Sequence, residues 1–178
     1  MKTLRITLFA AAIAVASLFT GCGGATGPAG PQGDQGPSGV TGQNAIFTSN
    51  PSDFQPSTSG SGANFLLASY TVNIITQSAV NTGVVMVYYQ ASTGVWAPLP
   101  YTYPISTSST VVQTLTFNYS IGQLTLQMQN SDNSVPAGPN ASYNYNVVVI
   151  PTSLLKQHPG TDLKDYSAVK QLMASVKN

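Results

Sequence analysis

The chain has 178 residues, of which six are Lys or Arg, five are Asp or Glu and one is His, so only 6% are charged. All five acids are Asp, and no Lys or Arg lies between Arg5 and Lys156. The basic stripe that displaces counterions from phosphates is therefore missing, which excludes nucleic-acid binding. The single Cys and single His exclude an internal disulfide and a zinc site of Cys/His type. With 42% apolar residues, wholesale disorder is excluded as well.

The N-terminus reads as a targeting segment spanning residues 1–21. Lys2 and Arg5 precede an uncharged apolar run from Ile6 to Phe19 that is shorter than the ~20 residues of a membrane span. Small residues, Thr20 and Gly21, follow just before Cys22. Charged start, apolar middle and small-residue end make a secretory signal peptide. Leu18-Phe19-Thr20-Gly21-Cys22 resembles the lipobox of bacterial lipoproteins, with Phe19 where Leu is commoner. That resemblance implies a diacylglyceryl thioether on Cys22, which becomes the acylated mature N-terminus. Two or more chains anchor stably where one binds marginally. The expected location is the outer membrane of a bacterial envelope. Gly23-Gly24-Ala25-Thr26 leaves the surface and periplasmic faces both open.

Residues 22–44 carry the lipidation site and a Gly-X-Y tract. Gly24, Gly27, Gly30, Gly33, Gly36, Gly39 and Gly42 hold the period, and Pro28, Pro31 and Pro37 occupy second triplet positions. Only a hydrogen side chain fits the axis of a collagen triple helix, and Pro pre-sets the polyproline II dihedral. Two readings stay open: a homotrimeric stalk, or a single extended spacer reaching ~65 Å at ~3.1 Å per residue.

Residues 45–178 are expected to form a β-rich head. Ala45 to Asn64 reads as loop, with a short strand at Ala45-Ile46-Phe47. Leu67 to Ile75, Val84 to Tyr89, Val95 to Tyr101 and Tyr143 to Ile150 read as strands, with a turn at Ala91 to Gly94. Leu115, Phe117 and Tyr119 alternate with polar residues, as do Leu124, Leu126 and Met128; Ile121-Gly122 joins the two as a hairpin. Val84 to Tyr89 is continuously apolar or aromatic, as a strand covered on both faces would be. Six or seven strands with short polar turns predict an antiparallel sandwich or barrel.

Pro159-Gly160 breaks the chain before a helix expected over about 162–176, capped by Thr161 or Asp162. Its apolar stripe is Tyr166, Val169, Leu172, Met173 and Val176. The succession of lipobox, short Gly-X-Y tract and β domain resembles collagen-like-repeat lipoproteins of Bacteroidota. Asn81-Thr82-Gly83-Val84-Val85-Met86-Val87-Tyr88, Leu99-Pro100-Tyr101, Tyr145 to Pro151 and Asp165-Tyr166-Ser167-Ala168-Val169-Lys170 carry the likeness. No activity transfers with it residue by residue.

A catalytic set is not legible. His158 lies in a Lys-Gln-His-Pro-Gly loop without a Gly-x-Ser-x-Gly elbow, and reads as solvated. Asp53 and Asp132 would have to converge from distant loops to act as a glycosidase pair. Asn130-Ser131-Asp132-Asn133-Ser134 offers one carboxylate, so an Asx turn is preferred to a Ca²⁺ site. No metal or cofactor is implied, and the chain is expected not to be an enzyme. Tyr88, Tyr89, Trp96, Tyr101 and Tyr103 cluster on or near one hairpin. Aromatic faces with amides suit sugar rings or protein contacts without charge. The expected function is thus a spacer presenting a head for adhesion or assembly, the alternative a glycan-binding module centred on Trp96 and nearby tyrosines.

Overall fold

The computed structural model describes residues 42–58 and 62–175. The expected signal peptide, Cys22, Gly24, Gly27, Gly30, Gly33, Gly36, Gly39 and Val176 lie outside the described residues.

Nine strands form two antiparallel sheets among the described residues. The first is ordered β1 (Gln43–Ser49), β9 (Tyr143–Pro151), β4 (Gly83–Ser92), β5 (Val95–Pro98). The second runs β2 (Gln55–Thr58), β3 (Asn64–Thr71), β8 (Gln123–Asn130), β7 (Val112–Ser120), β6 (Tyr101–Pro104). The two pack face to face, so the molecule is a sandwich rather than a barrel. The expected hairpin forms as β7–β8, turning through Gly122 at φ +70°, a dihedral that glycine adopts without a Cβ clash. Its tip is clamped by Val72 N–H donating to Gly122 O and Gly122 N–H donating to Ile75 O, both 2.8 Å.

Period-two alternation sends one set of side chains between the sheets. Leu66 and Ala68 of β3, Leu115 of β7, and Leu124, Leu126 and Met128 of β8 meet Val85 and Val87 of β4 and Tyr145, Val147 and Val149 of β9. On the outer face of the five-stranded sheet, hydroxyl pairs Ser69–Thr125 and Thr102–Thr114 lie 3.0 Å apart.

The four-stranded sheet is covered on both faces, as the unbroken apolar run of β4 requires. Helices α2 (Thr152–Gln157) and α3 (Tyr166–Ala174) bury Val84, Met86, Tyr88, Val148 and Ile150 under Leu154, Val169 and Leu172. A third short helix, α1 (Gln77–Thr82), starts at Thr76, whose Oγ1 accepts from Ala79 N–H at 3.1 Å.

Several boundaries differ from expectation for tertiary reasons. Helix α3 begins at Tyr166, not near 162, because the Asp165 carboxylate takes the Ser167 N–H at 2.8 Å; Asp162 instead closes a turn through Lys164 N–H. The strand expected over Val95 to Tyr101 is two strands in different sheets, joined across Leu99 and Pro100. Leu99 is buried at that crossing, with its N–H donating to Val87 O at 2.8 Å. The short strand expected at Ala45-Ile46-Phe47 forms as the longer β1, paired with β9, and the loop expected from there to Asn64 contains β2, paired with β3. β1 already starts at Gln43, inside the last triplet, and a Cβ on Gly42 would come within 2.9 Å of Met173 Cε. A side chain there would have to displace the flexible end of Met173.

The helix layer is tied down by the fully buried Tyr88, whose hydroxyl donates to Leu163 O at 2.7 Å. Tyr88→Phe is expected to remove about 1 kcal/mol of stability. Urea unfolding checks the magnitude, and faster amide exchange confined to α3 checks the cause.

Candidate ligand-binding cleft

The five aromatic residues singled out from the sequence fall into two places. Adjacent strand residues point to opposite faces, so Tyr88 and Tyr89 separate. Tyr88 goes under the helices, where Trp96 joins it. Tyr166 packs tilted against both, its ring centroid 5.1 Å from that of Tyr88 and 5.3 Å from that of Trp96. Trp96 is half-buried packing for α3 and does not belong to the cleft described next.

Tyr89, Tyr101 and Tyr103 turn to the other face and line a cleft of about 570 Å³. Register explains the assembly. Tyr89 is paired with Tyr145 across β4 and β9, and Tyr143 sits two residues before Tyr145 on the same face. From the opposite sheet, Tyr101 is paired with Leu115 and Tyr103 with Gln113. The crossing at Leu99 and Pro100 is what carries Tyr101 and Tyr103 over to face Tyr89. Ring centroids are 5.0 Å apart for Tyr89–Tyr101, and 6.0 Å for both Tyr101–Tyr103 and Tyr89–Tyr143.

One wall is an amide relay. Gln113, only 3% exposed, donates through Nε2 to Asn130 Oδ1 at 3.2 Å and to Ala137 O at 3.1 Å. The Tyr103 hydroxyl donates to its Oε1. Asn130 Nδ2 then donates to Ser134 Oγ at 2.9 Å, and that hydroxyl to Asp132 Oδ1 at 2.7 Å. The loop between β8 and β9 is thereby held over the cleft, where Asn140 Oδ1 accepts from the Tyr143 hydroxyl at 3.1 Å. None of the lining residues is Asp, Glu, Lys, Arg or His.

Burial governs the ionisation of these rings. It pushes Tyr89 up to about 12, with Tyr101 adding to the rise. Burial first, then the neighbouring Tyr143 and Tyr101, raises Tyr103. Tyr145 is raised furthest of the three, again chiefly by burial. Tyr89, Tyr103 and Tyr145 are thus held as neutral, protonated phenols. Ser49 Oγ is fully buried beside the Tyr70 and Tyr145 hydroxyls, yet no well-formed hydrogen bond reaches it.

The candidate ionisable residues are occupied locally. Asp53 Oδ2 accepts from Asn50 N–H at 2.8 Å and from the Tyr70 hydroxyl at 3.0 Å. Asp132 Oδ1 accepts from Ser134 N–H and Oγ, the expected Asx turn, which holds its carboxyl below the usual range. His158 is exposed after α2, as a solvated loop residue would be. No three His, Cys, Asp or Glu converge among the described residues.

Sequence reasoning missed Tyr143, Tyr145, Gln113 and Asn140 as partners of the hairpin tyrosines. The i, i+2 spacing of Tyr101/Tyr103 and Tyr143/Tyr145 was the available signal, since it places each pair on one face. Comparison with protein-family models, curated proteins and solved structures finds no match for this chain. Among the described residues no helix is long and apolar enough to cross a membrane.

Proposed function

We propose that this chain is a non-enzymatic, lipid-anchored protein of the bacterial outer envelope, tethered through Cys22. In this reading a Gly-X-Y tract lifts a β-sandwich head that serves adhesion or assembly. The observation that carries the head's role is the tyrosine cleft, aromatic, amide-lined and without an ionised group. Such a lining recognises uncharged ligands by ring contact and hydrogen bonding. General acid–base chemistry would need a titratable group near neutral pH within reach of the ligand, and the raised phenols do not supply one.

The test follows the rings. On titration with uncharged oligosaccharides and uncharged peptides, NMR signals of Tyr101 and Tyr103 should shift while those of Trp96 stay in place. Tyr101→Ala should weaken binding at least ten-fold with the rest of the fold intact. Hydrolysis or group transfer lost in Asp53→Ala or Asp132→Ala would overturn the non-enzymatic reading. The anchor is tested separately: an alkynyl palmitate fed to cells should label the wild-type chain and leave Cys22→Ala unlabelled.

Glycan binding is the second reading, and the cleft rings favour it at Tyr101 rather than at Trp96. Oligosaccharide shifts centred on Trp96 would reverse that preference.

A further inference from the structure

We infer that the tyrosine cleft takes up a proline-bearing Gly-X-Y segment, within residues 27–38, from a second copy of this chain. The inference rests on reading the cleft as a ligand site and names its occupant. Four observations converge on it.

The first is shape. Tyr89, Tyr101, Tyr103 and Tyr143 pack at centroid spacings of 5.0–6.0 Å along an open cleft, forming a continuous aromatic lining of ring edges and faces. Polyproline II segments dock in aromatic-lined grooves, and their preformed conformation lowers the entropy lost on binding. In the repeated Gly-Pro-X sequence around Pro28 and Pro31, pyrrolidine rings recur every ~9 Å along such a helix.

The second is hydrogen-bond polarity. A polyproline II segment has no internal hydrogen bonds, and Pro lacks an N–H, so the segment presents mostly carbonyl acceptors. The cleft answers with donors that the relay does not use: the Tyr101 hydroxyl beside Tyr89, and the Asn140 amide N–H, whose oxygen partner already accepts from Tyr143. Sugar hydroxyls present donors as well as acceptors, and the lining contains no carboxylate to take those donors.

The third is charge. The cleft has no ionised side chain, and residues 27–38 contain one, Asp34. Pro28 and Pro31 both precede it.

The fourth decides between the same chain and another. Ser49 is paired with Tyr143 at the cleft, whereas Gln43 is paired with Val149, six residues along β1. At ~3.4 Å per residue the chain enters the head about 20 Å from the cleft, heading toward it. A tract from the same chain would have to reverse direction just before Gln43. A second copy needs no such reversal. Tract-to-cleft contact closes as a pair when two copies exchange tracts, and as a ring or an open array when it runs head to tail.

The test uses the full chain in detergent micelles, with Tyr101→benzoylphenylalanine as photo-crosslinker and isotopically heavy and light copies mixed. Crosslinks from the heavy cleft to light residues 27–38 are expected. Their yield should fall at least ten-fold when Pro28→Ala, Pro31→Ala and Pro37→Ala are combined, changes outside the head that leave its melting unaltered. A synthetic peptide of residues 27–38 should compete for the cleft and shift the Tyr103 ring signals. Crosslinks that stay within one copy, map elsewhere, or survive the triple Pro variant overturn the inference. So does trimer formation with no capture at position 101, the mark of a triple helix alone. If oligosaccharides shift the cleft rings and the peptide does not, the occupant is wrong while the ligand site stands. If neither does, both fall.

Discussion

Gln113→Ala is expected to lower the unfolding free energy by about 2–5 kcal/mol. The side chain is nearly fully buried and joins four groups: Tyr103 hydroxyl, Asn130 amide oxygen, Ala137 carbonyl and its own strand β7. Truncation strands the Tyr103 donor and the Asn130 acceptor inside the head. Each buried polar group left unsatisfied costs about 1–3 kcal/mol, and the deleted atoms leave a void whose lining loses contacts. Gln113→Met separates the two effects, since it keeps the volume and removes the hydrogen bonds. Urea unfolding of both variants should place Met between Ala and wild type. The same change should reach the cleft, because Ala137 loses its tie and the loop carrying Asn140 is released. Ligand shifts at Tyr103 and Tyr143 should therefore weaken in both variants. If Gln113→Ala unfolds at the wild-type urea concentration, the relay is decoration rather than support.

Stability should fall steeply as pH rises above 10. Burial pushes Tyr70 and Tyr89 up to about 12 and raises Tyr88, Tyr103 and Tyr145 as well. In the unfolded chain these phenols lose their protons near pH 10. Between about pH 10 and 12 the unfolded state thus binds fewer protons than the folded one, and unfolding gains driving force with each step upward. Their contribution is complete below pH 10 and is lost through the folded-state range. For Tyr145, 2% exposed, the loss approaches about 1.4 kcal/mol per pH unit. Half-buried Tyr70 and Tyr89 contribute less because solvent screens them. Urea midpoints at pH 8, 10 and 11, with tyrosinate absorbance followed in parallel, check this. Tyr145→Phe should flatten the decline, and a midpoint unchanged from pH 8 to 11 would contradict it.

Legibility from sequence followed the range of the interactions. The β7–β8 hairpin could be read because alternation and a two-residue turn are local. The two-sided cover of β4 could be read because Val84 to Tyr89 has no polar position to show to water. The capping residue of α3 could not. Thr161, Asp162 and Asp165 are all competent acceptors, and the choice depends on where Tyr166 must sit to pack against Tyr88 and Trp96. Strand β2, Gln55–Thr58, is short and polar and exists because β3 offers it an edge.

The cleft divides in the same way. That its surface would be aromatic and uncharged was settled by composition, since the chain has few charges to place anywhere. Which tyrosines would meet was not. Tyr88 and Trp96 were drawn under a helix and Tyr89 into the space between the sheets by strand alternation. Tyr101 and Tyr103 reached that space because the chain changes sheets after Leu99. Composition, tract period and strand alternation are properties of neighbouring residues, so the amino-acid order determines them unaided. The meeting of Tyr89, Tyr101, Tyr103, Tyr143 and Gln113 depends on pairings between strands dozens of residues apart, and only the packed sandwich decides which faces those residues share.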